Sequence, residues 1–391
     1  LLPGAPLVAG GLIEVTDPDR TFLTRGLRVP DRVTMHLLGD DTPDPALDGL
    51  IVTPMPCLAG DPIALGAALR RGATPCYLRA RRGSSAESLG AAAFTELGLP
   101  ALVLDLARWG RTDPRDGVRV ACREARLRGA GLVAGPVEAL GDQVGSVVAE
   151  LCATGWPVVL HGRRSWDPRW SPDVPLVVDA PPVAATDMAE LWNSLLAGEV
   201  DPDMDVTAST HALNMDPGQV RRAANATWWQ AAHAERRIGA EELRVGIRSQ
   251  NAAGLEQLAR RVDPQAGWDD QVLPPAQLSM LRELGLRARH RDQVLDGWQM
   301  RGTGRGTGIA ALFTGPPGTG KTLSAEVLAH DLGFDLYTVD IATVVDKYVG
   351  ETEKNLERIF SEAEQVNGVL FFDEADALTA RGLKVTHTPE E

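Results

Sequence analysis

The sequence predicts an α/β protein built from two three-layer αβα cores with parallel sheets. Three observations carry that expectation. The run Gly315, Pro316, Pro317, Gly318, Thr319, Gly320, Lys321, Thr322 spells GPPGTGKT and fits G-x-x-x-x-G-K-[ST], set between an apolar stretch and a helix-like one. The run Val369, Leu370, Phe371, Phe372 leads straight into Asp373 and Glu374, as a central parallel strand delivers acids to its C-terminal end. An altered copy of the same pattern precedes both in the chain.

The first run is the phosphate-binding pattern of P-loop NTPases. Its glycines let backbone N–H groups close around nucleotide phosphates. Lys321 reaches the β- and γ-phosphates in such a loop, and the Thr322 hydroxyl binds Mg²⁺. The stretch Ala310–Phe313 reads as a buried strand before it, and Leu323–Ala329 as a helix after it, whose N-terminus favours an anion. Gly315 through Leu323 are therefore the expected nucleotide-binding residues. In the second run Asp373 is expected to hold Mg²⁺, directly or through water. Glu374 is expected to polarise the attacking water as general base.

These residues resemble the AAA family of ATPases, for which GPPGTGKT and FFDEADAL are preferred forms of the loop and the acidic strand. The stretch Asp346–Leu356 between them resembles the family's first pore loop, and Tyr348, Val349 and Gly350 match its aromatic-apolar-glycine triplet. The resemblance implies that Tyr348 faces the channel of a ring, where an aromatic grips an extended polypeptide by apolar area without reading its sequence. It also implies ATP and Mg²⁺ as cofactors, a protein client, and a homo-oligomeric ring, a hexamer. An AAA core needs two more strands and its own lid after Glu374. The second core is thus expected to be C-terminally incomplete, with the sensors and arginine finger beyond Glu391.

The copy lies upstream. Leu97 and Gly98 parallel Leu332 and Gly333, and Asp105 parallels Asp340. Carried back, this alignment puts Ala86 where Lys321 stands and Glu87 where Thr322 stands. Further on, Glu124 and Ala125 match Glu362 and Ala363, and Gly135 through Leu140 match Asp373 through Leu378. Gly135 then replaces the metal-holding acid and Pro136 the catalytic one. A carboxylate at Glu87 repels phosphates. The first copy is expected to be a P-loop fold without ATPase chemistry.

Five segments follow. Residues 1–70 carry strand-like and helical pieces with proline-rich joints, an approach segment of the first copy or part of another domain. Residues 71–185 are the degenerate core. Residues 186–262 read as a helical lid: a helix from Thr186 to Trp192, another from Asp216 carrying Val220, Ala223, Ala224 and Trp228, and further helices from Glu241 to Leu258. Trp228 and Trp229 are expected to pack within it. Residues 263–308 lead into the second core, with Trp268–Pro274 resembling the family's approach segment, then a helix over Gln277–Ala288. The alternating glycines of Arg301–Gly308 precede a strand-like stretch instead of following one, so they read as a flexible loop. Residues 309–391 are the active core.

Composition narrows the partners. With 53 acidic against 39 basic residues, the net charge of −14 disfavours nucleic acid or an anionic membrane. Arg79, Arg81 and Arg82 read as a solvated edge. The four cysteines, Cys57, Cys76, Cys122 and Cys152, are widely spaced with no C-x-x-C pair, which fits a reduced, cytoplasmic setting. No apolar stretch reaches transmembrane length.

The expectation is an ATPase that hydrolyses ATP to ADP and phosphate to remodel or assemble a protein client. The dead-first, live-second order also resembles ATPases encoded with bacterial contractile injection systems. Two alternatives stand beside it: a nucleotide-switched scaffold that docks partners through the dead core, and a DNA-acting loader ATPase, disfavoured by the acidic balance and by Tyr348.

Overall fold

The computed structural model describes residues 5–17, 19–110, 113–210, 213, 215–250, 253–256, 258–292, 294, 308–340, 351–363 and 366–373. It divides into two compact units. One is Leu1–Ala184 with Asp216–Gly218; the other is Ala185–Met215 with Gln219–Glu391.

The first unit opens with a short antiparallel pair, β1 (Glu14–Thr16) and β2 (Gly26–Arg28). Its main sheet has five parallel strands: β3 (Cys76–Ala80), β4 (Ala101–Asp105), β5 (Gly131–Gly135), β6 (Val158–Gly162) and β7 (Leu176–Ala180), in the spatial order β4-β5-β6-β3-β7. Side chains alternate across it, as a pleated strand requires. Tyr77, Leu102, Leu104, Leu132, Val158 and Leu160 enter one apolar cluster with Val118, Ala121, Cys122 and Ala125 of the helix Pro114–Leu127. Cys76, Leu78, Val103, Val133 and Val159 enter another, with Leu65 and Leu69 of the helix Pro62–Arg70 and Leu89, Ala93 and Phe94 of the helix Ala86–Glu96. Helices thus cover both faces, giving three layers.

Residues 1–70 belong to this unit. Val52 N–H donates to the Val103 carbonyl and Asp105 N–H to the Leu50 carbonyl, so residues 50–52 extend the β4 edge. Arg32, on the helix Asp31–Leu37, makes a bidentate pair with Glu124 at 2.8 and 2.9 Å. Arg128 adds a third bond to that carboxylate at 2.6 Å. Glu124 has no exposed surface. Burial alone pushes its pKa up, but the hydrogen bonds from Arg32 and Arg128 outweigh it and hold the carboxyl below its ordinary range. Breaking such a buried pair typically costs about 3–5 kcal/mol. Glu124 therefore ties the N-terminal segment to the core. Arg79 pairs with Asp179 at 2.5 and 2.8 Å, and Arg81 lies 3.5 Å from the same carboxylate. The basic edge there is partly neutralised.

The second unit contains the helices Ala185–Leu196, Pro217–His233 (from Gln219 onward) and Ala240–Arg248. On Pro217–His233, Val220, Ala223, Ala224, Thr227 and Ala231 form the buried stripe. Trp228 and Trp229 fall beside that stripe and are 45% and 72% exposed, so the packing expected for them is not observed. The sheet of this unit is β8 (Arg260–Val262), β9 (Asp335–Asp340) and β10 (Gly368–Asp373), in the order β10-β9-β8. β10 runs parallel to β9, as expected, whereas β8 runs antiparallel to it. Arg260–Val262, placed by sequence at the end of a helical segment, is thus a short edge strand on this sheet.

Two features of this sheet follow the upstream copy residue by residue. Asp105 faces Gly135 and Leu102 faces Leu132 in the first sheet. Their counterparts Asp340 and Asp373, and Tyr337 and Leu370, face each other in the second. The helices Ala86–Glu96 and Lys321–Leu332 start at matching residues.

The stretch Ala310–Phe313, expected as a buried strand, is neither a strand nor buried. Ala310, Ala311 and Leu312 are exposed, and only Phe313 packs inward, against the cluster of Ala325, Ala329 and Leu336. The first unit supplies the reason. Its matching strand β3 bonds only to β6 and β7, which come after the strand equivalent to β10. The corresponding partners of Ala310–Phe313 would lie outside the described residues.

Candidate functional site

The glycine run of the second unit forms an open loop on a helix end. Gly315, Gly318 and Gly320 take φ values of 153°, 80° and 83°, conformations that side chains oppose. Gly315 through Thr319 are exposed. The helix Lys321–Leu332 begins directly after Gly320, which has no side chain to cap it. Its first N–H groups therefore suit an anion. The Lys321 ammonium folds back over the loop and donates to the carbonyls of Gly315 at 2.9 Å and Pro316 at 3.0 Å. Thr319 Oγ1 donates to the Pro316 carbonyl at 2.9 Å. Thr322 is exposed and Leu323 half-buried at the start of the helix.

The helix buries one side against the sheet. Ser324, Ala325, Val327, Leu328 and Ala329 are buried, and Ala325 and Ala329 pack with Leu336, Val369 and Phe371. Small residues let the helix lie close on β9 and β10. Asp373 ends β10, is exposed, and pairs in register with Asp340. Both acids lie at the C-terminal edge of the parallel pair, where ligands of open α/β sheets bind. Glu374, Tyr348, Val349 and Gly350 lie outside the described residues.

A layer of contacts that the sequence pattern does not mark holds the helix Lys321–Leu332 and β9. The amides of Gln265 and Ala266 donate to Glu326. Trp268 Nε1 and Arg289 both hold Asp331, at 2.9 and 2.7 Å. Gln271 Nε2 donates to Ser324 Oγ at 3.2 Å, and Ser324 Oγ donates to the Gly320 carbonyl at 2.9 Å. Arg248, on Ala240–Arg248, joins Asp335 of β9 and Asp263, each at 2.7 Å. Nothing in the spacing of these residues marks them out; they lie far apart in the chain.

The matching place in the first unit is closed. Ser84, Ser85, Ala86 and Ser88 are all at least nine-tenths buried. Val183 N–H donates to the Gly83 carbonyl at 2.9 Å, and Ser84 bridges to Pro182. The strap 181–183 thus lies against the turn where phosphates would sit. Gly135 is also walled in: a Cβ there would come within 2.5 Å of the His161 ring. His161 is buried with no partner for Nε2, and burial pushes its pKa down to about 4. A neutral imidazole therefore fills the space an acid at position 135 would need.

The second loop fits a phosphate chain: open, rich in left-handed glycines and set on a bare helix N-terminus. Thr322 and Asp373 supply a hydroxyl and a carboxylate, the hard oxygen donors that Mg²⁺ takes alongside water and phosphate. Residues 311–391 match the family described as ATPase family associated with various cellular activities (AAA). An uncharacterized AAA family ATPase, y4kL, of Sinorhizobium fredii is 38% identical over 118 residues, 30% of this chain and 34% of that protein. The peroxisomal ATPase PEX6 of Arabidopsis thaliana is 37% identical over 122 residues, 30% of this chain and 12% of that protein. The nuclear valosin-containing protein-like protein of Mus musculus is 40% identical over 84 residues, 21% of this chain and 10% of that protein. The chain spans about a third or less of the length of these relatives. No helix among the described residues is long and apolar enough to cross a membrane.

Proposed function

We propose that the second core binds Mg²⁺-ATP and hydrolyses it to ADP and phosphate, using the energy to remodel or assemble a protein client. The observation that carries this reading is the open glycine loop on the uncapped end of Lys321–Leu332, within the stretch that matches the AAA family. On binding, Lys321 exchanges its two loop carbonyls for the β- and γ-phosphates. The loop N–H groups hold the phosphate chain, and Thr322 and Asp373 hold the metal. Mg²⁺ neutralises phosphate charge when bound. Glu374 takes a proton from water as its oxygen attacks the γ-phosphorus, and the bond to the ADP oxygen breaks.

The working form in this reading is a ring, a hexamer, in the cytoplasm, with Tyr348, Val349 and Gly350 contacting the client and a neighbour lending an arginine worth roughly 10³–10⁵ in rate. The first core contributes no nucleotide chemistry and serves as a structural tier or docking surface. The order of the two cores supports a role in assembling a contractile injection particle. A second reading is a nucleotide-switched scaffold, favoured by one observation: the strap 181–183 covers the turn of the first core, which in this reading serves to dock partners.

Turnover measured against protein concentration separates the two. The ATPase reading expects turnover per subunit to rise with concentration and to vanish in Glu374→Gln. Tight ATP binding with turnover no higher than in that variant would replace it with the scaffold.

A further inference from the structure

Five arginines gather at the C-terminal ends of two adjacent parallel strands of the first core. Arg79 lies on β3 and stands in register with Gly162 of β6. Arg81 and Arg82 continue the chain from β3, and Arg163 and Arg164 continue it from β6. Neighbouring strands run about 4.8 Å apart, so the two arginine-bearing turns leave the sheet side by side. Tyr77 Oη donates to the Arg164 carbonyl at 2.6 Å, which ties the second turn to β3. The Arg79 and Arg81 side chains keep 43% and 44% of their surface, and Arg164 is exposed. All five carry guanidinium groups, whose planar forks suit carboxylates.

The acids nearby are fewer. Asp179 pairs with Arg79 and Arg81, and Glu138 accepts from the Arg163 amide. With Glu87 of the following helix counted as well, arginines still exceed acids there, on a chain whose net charge is −14. The alignment of the two cores sets Arg79, Arg81 and Arg82 opposite Thr314, Pro316 and Pro317, so the second core carries no charge at these positions. Ligands of open α/β sheets collect beyond the carboxyl ends of the strands. In the first core the turn at that edge is buried, whereas the arginine surface beside it is open.

We propose that this surface docks an acidic segment of a partner protein, whose spaced carboxylates pair with the exposed guanidinium groups. Asp179 shows the pairing in miniature: Arg79 holds its carboxylate through two bonds, at 2.5 and 2.8 Å. Two observations favour a protein segment over nucleic acid. Asp179 and Glu138 lie among the arginines and repel a continuous phosphate backbone, and the chain as a whole is acidic. An extended segment with an acid at every second residue sets its carboxylates on one face about 7 Å apart, which leaves room for those acids between them. The inference gives the docking role proposed for the first core a place and a chemistry. It rests on that role and not on the nucleotide reading of the second core.

The test is fluorescence polarisation with the whole 391-residue chain. The probe is a fluorescein-labelled decapeptide in which glutamate alternates with serine. Its controls are the same peptide with glutamine for glutamate, and a labelled thymidine strand of equal length. At about 20 mM salt the glutamate peptide is expected to bind at least about tenfold more tightly than the glutamine one, and at about 0.5 M salt the ratio is expected to collapse. The double variant Arg81→Glu with Arg164→Glu is expected to bring the ratio to within about twofold at low salt. Arg20→Glu with Arg115→Glu changes the net charge equally at exposed sites elsewhere and is expected to keep most of it. The three proteins should share one denaturation midpoint, since the replaced side chains are exposed; Arg81→Gln with Arg164→Gln replaces the reversal if it shifts the midpoint. The same loss in both double variants would make the effect one of net charge and overturn the inference. So would tighter binding of the thymidine strand than of the glutamate peptide, which would make the surface a nucleic-acid site. A particle mass that halves in the Arg81 and Arg164 variant without any peptide would make a second copy the occupant. A glutamate preference that survives those substitutions overturns the inference but leaves the docking role standing elsewhere on the chain. Equal binding of the two peptides by the wild type overturns it and leaves the first core as a structural tier.

Discussion

In the first core the turn before the helix Ala86–Glu96 is buried and bridged by Ser84 to Pro182; in the second the turn before Lys321–Leu332 is exposed, with Lys321 folded onto the Gly315 and Pro316 carbonyls. The strand registers behind the two turns agree residue by residue. Yet the acid position holds an exposed Asp373 in one core and a Gly135 pressed against His161 in the other. The comparison teaches where the two cores differ in packing: in the first the turn is buried under the strap 181–183 and a histidine ring fills the space beside Gly135, whereas in the second the turn and Asp373 are exposed.

The largest effect the comparison predicts is on nucleotide affinity. Lys321→Ala is expected to weaken ATP binding by on the order of 100-fold, since a charge-assisted phosphate contact is worth about 1.5–3 kcal/mol. Ala86→Lys is expected to create no second site, because the strap 181–183 still occupies the turn. A titration stoichiometry of two in the Ala86→Lys chain would break the contrast between the cores.

A smaller effect concerns pH. His161 is held near a pKa of about 4 by burial, against 6.5 in the unfolded chain. Between those values the unfolded state takes up a proton that the folded state does not. The first core is therefore expected to lose stability as pH falls from about 6.5 to 4, by on the order of 3 kcal/mol, and to lose no more from this group below that. His161→Asn removes the titration, so its denaturation midpoint is expected to fall less over that range. Parallel pH profiles for the two proteins would show that the imidazole is not the group responsible.

Much of this contrast is legible in the sequence. The helix over Leu323–Ala329 and the parallel strand leading into Asp373 were readable because apolar runs bounded by glycines leave few alternatives. The failure at Ala310–Phe313 has a different cause: strand formation depends on partners elsewhere in the chain, which a local apolar run does not report. Trp228 and Trp229, expected to pack within the lid, are exposed because their helical phase puts them outside the stripe from Val220 to Ala231. At the candidate site the glycines, Lys321, Thr322 and Asp373 announced themselves by spacing. Gln271, Ser324 and His161 did not, because each matters through a neighbour more than twenty residues away.

The finest difference between the cores lies in their packing, and it can be exchanged. In the first core Phe94 of the helix fills the space above β5, where position 131 is a glycine; a Cβ there would come within 2.2 Å of the ring. In the second the matching helix residue is Ala329, and the strand position is Val369, both at one apolar cluster. Volume has moved from strand to helix while the register stayed constant. Phe94→Ala alone is expected to destabilise the first core by about 3–5 kcal/mol through the cavity it leaves. Gly131→Val alone is expected to cost about 1–3 kcal/mol through overpacking. Together they recreate the arrangement of the second core, so the double variant should be more stable than the sum of the two losses predicts, with a coupling on the order of 1–3 kcal/mol. Denaturant unfolding of the four proteins measures that coupling. Simple additivity would mean that the helix and strand of the first core do not meet at these two positions in solution, and that the volume exchange between the cores has another origin.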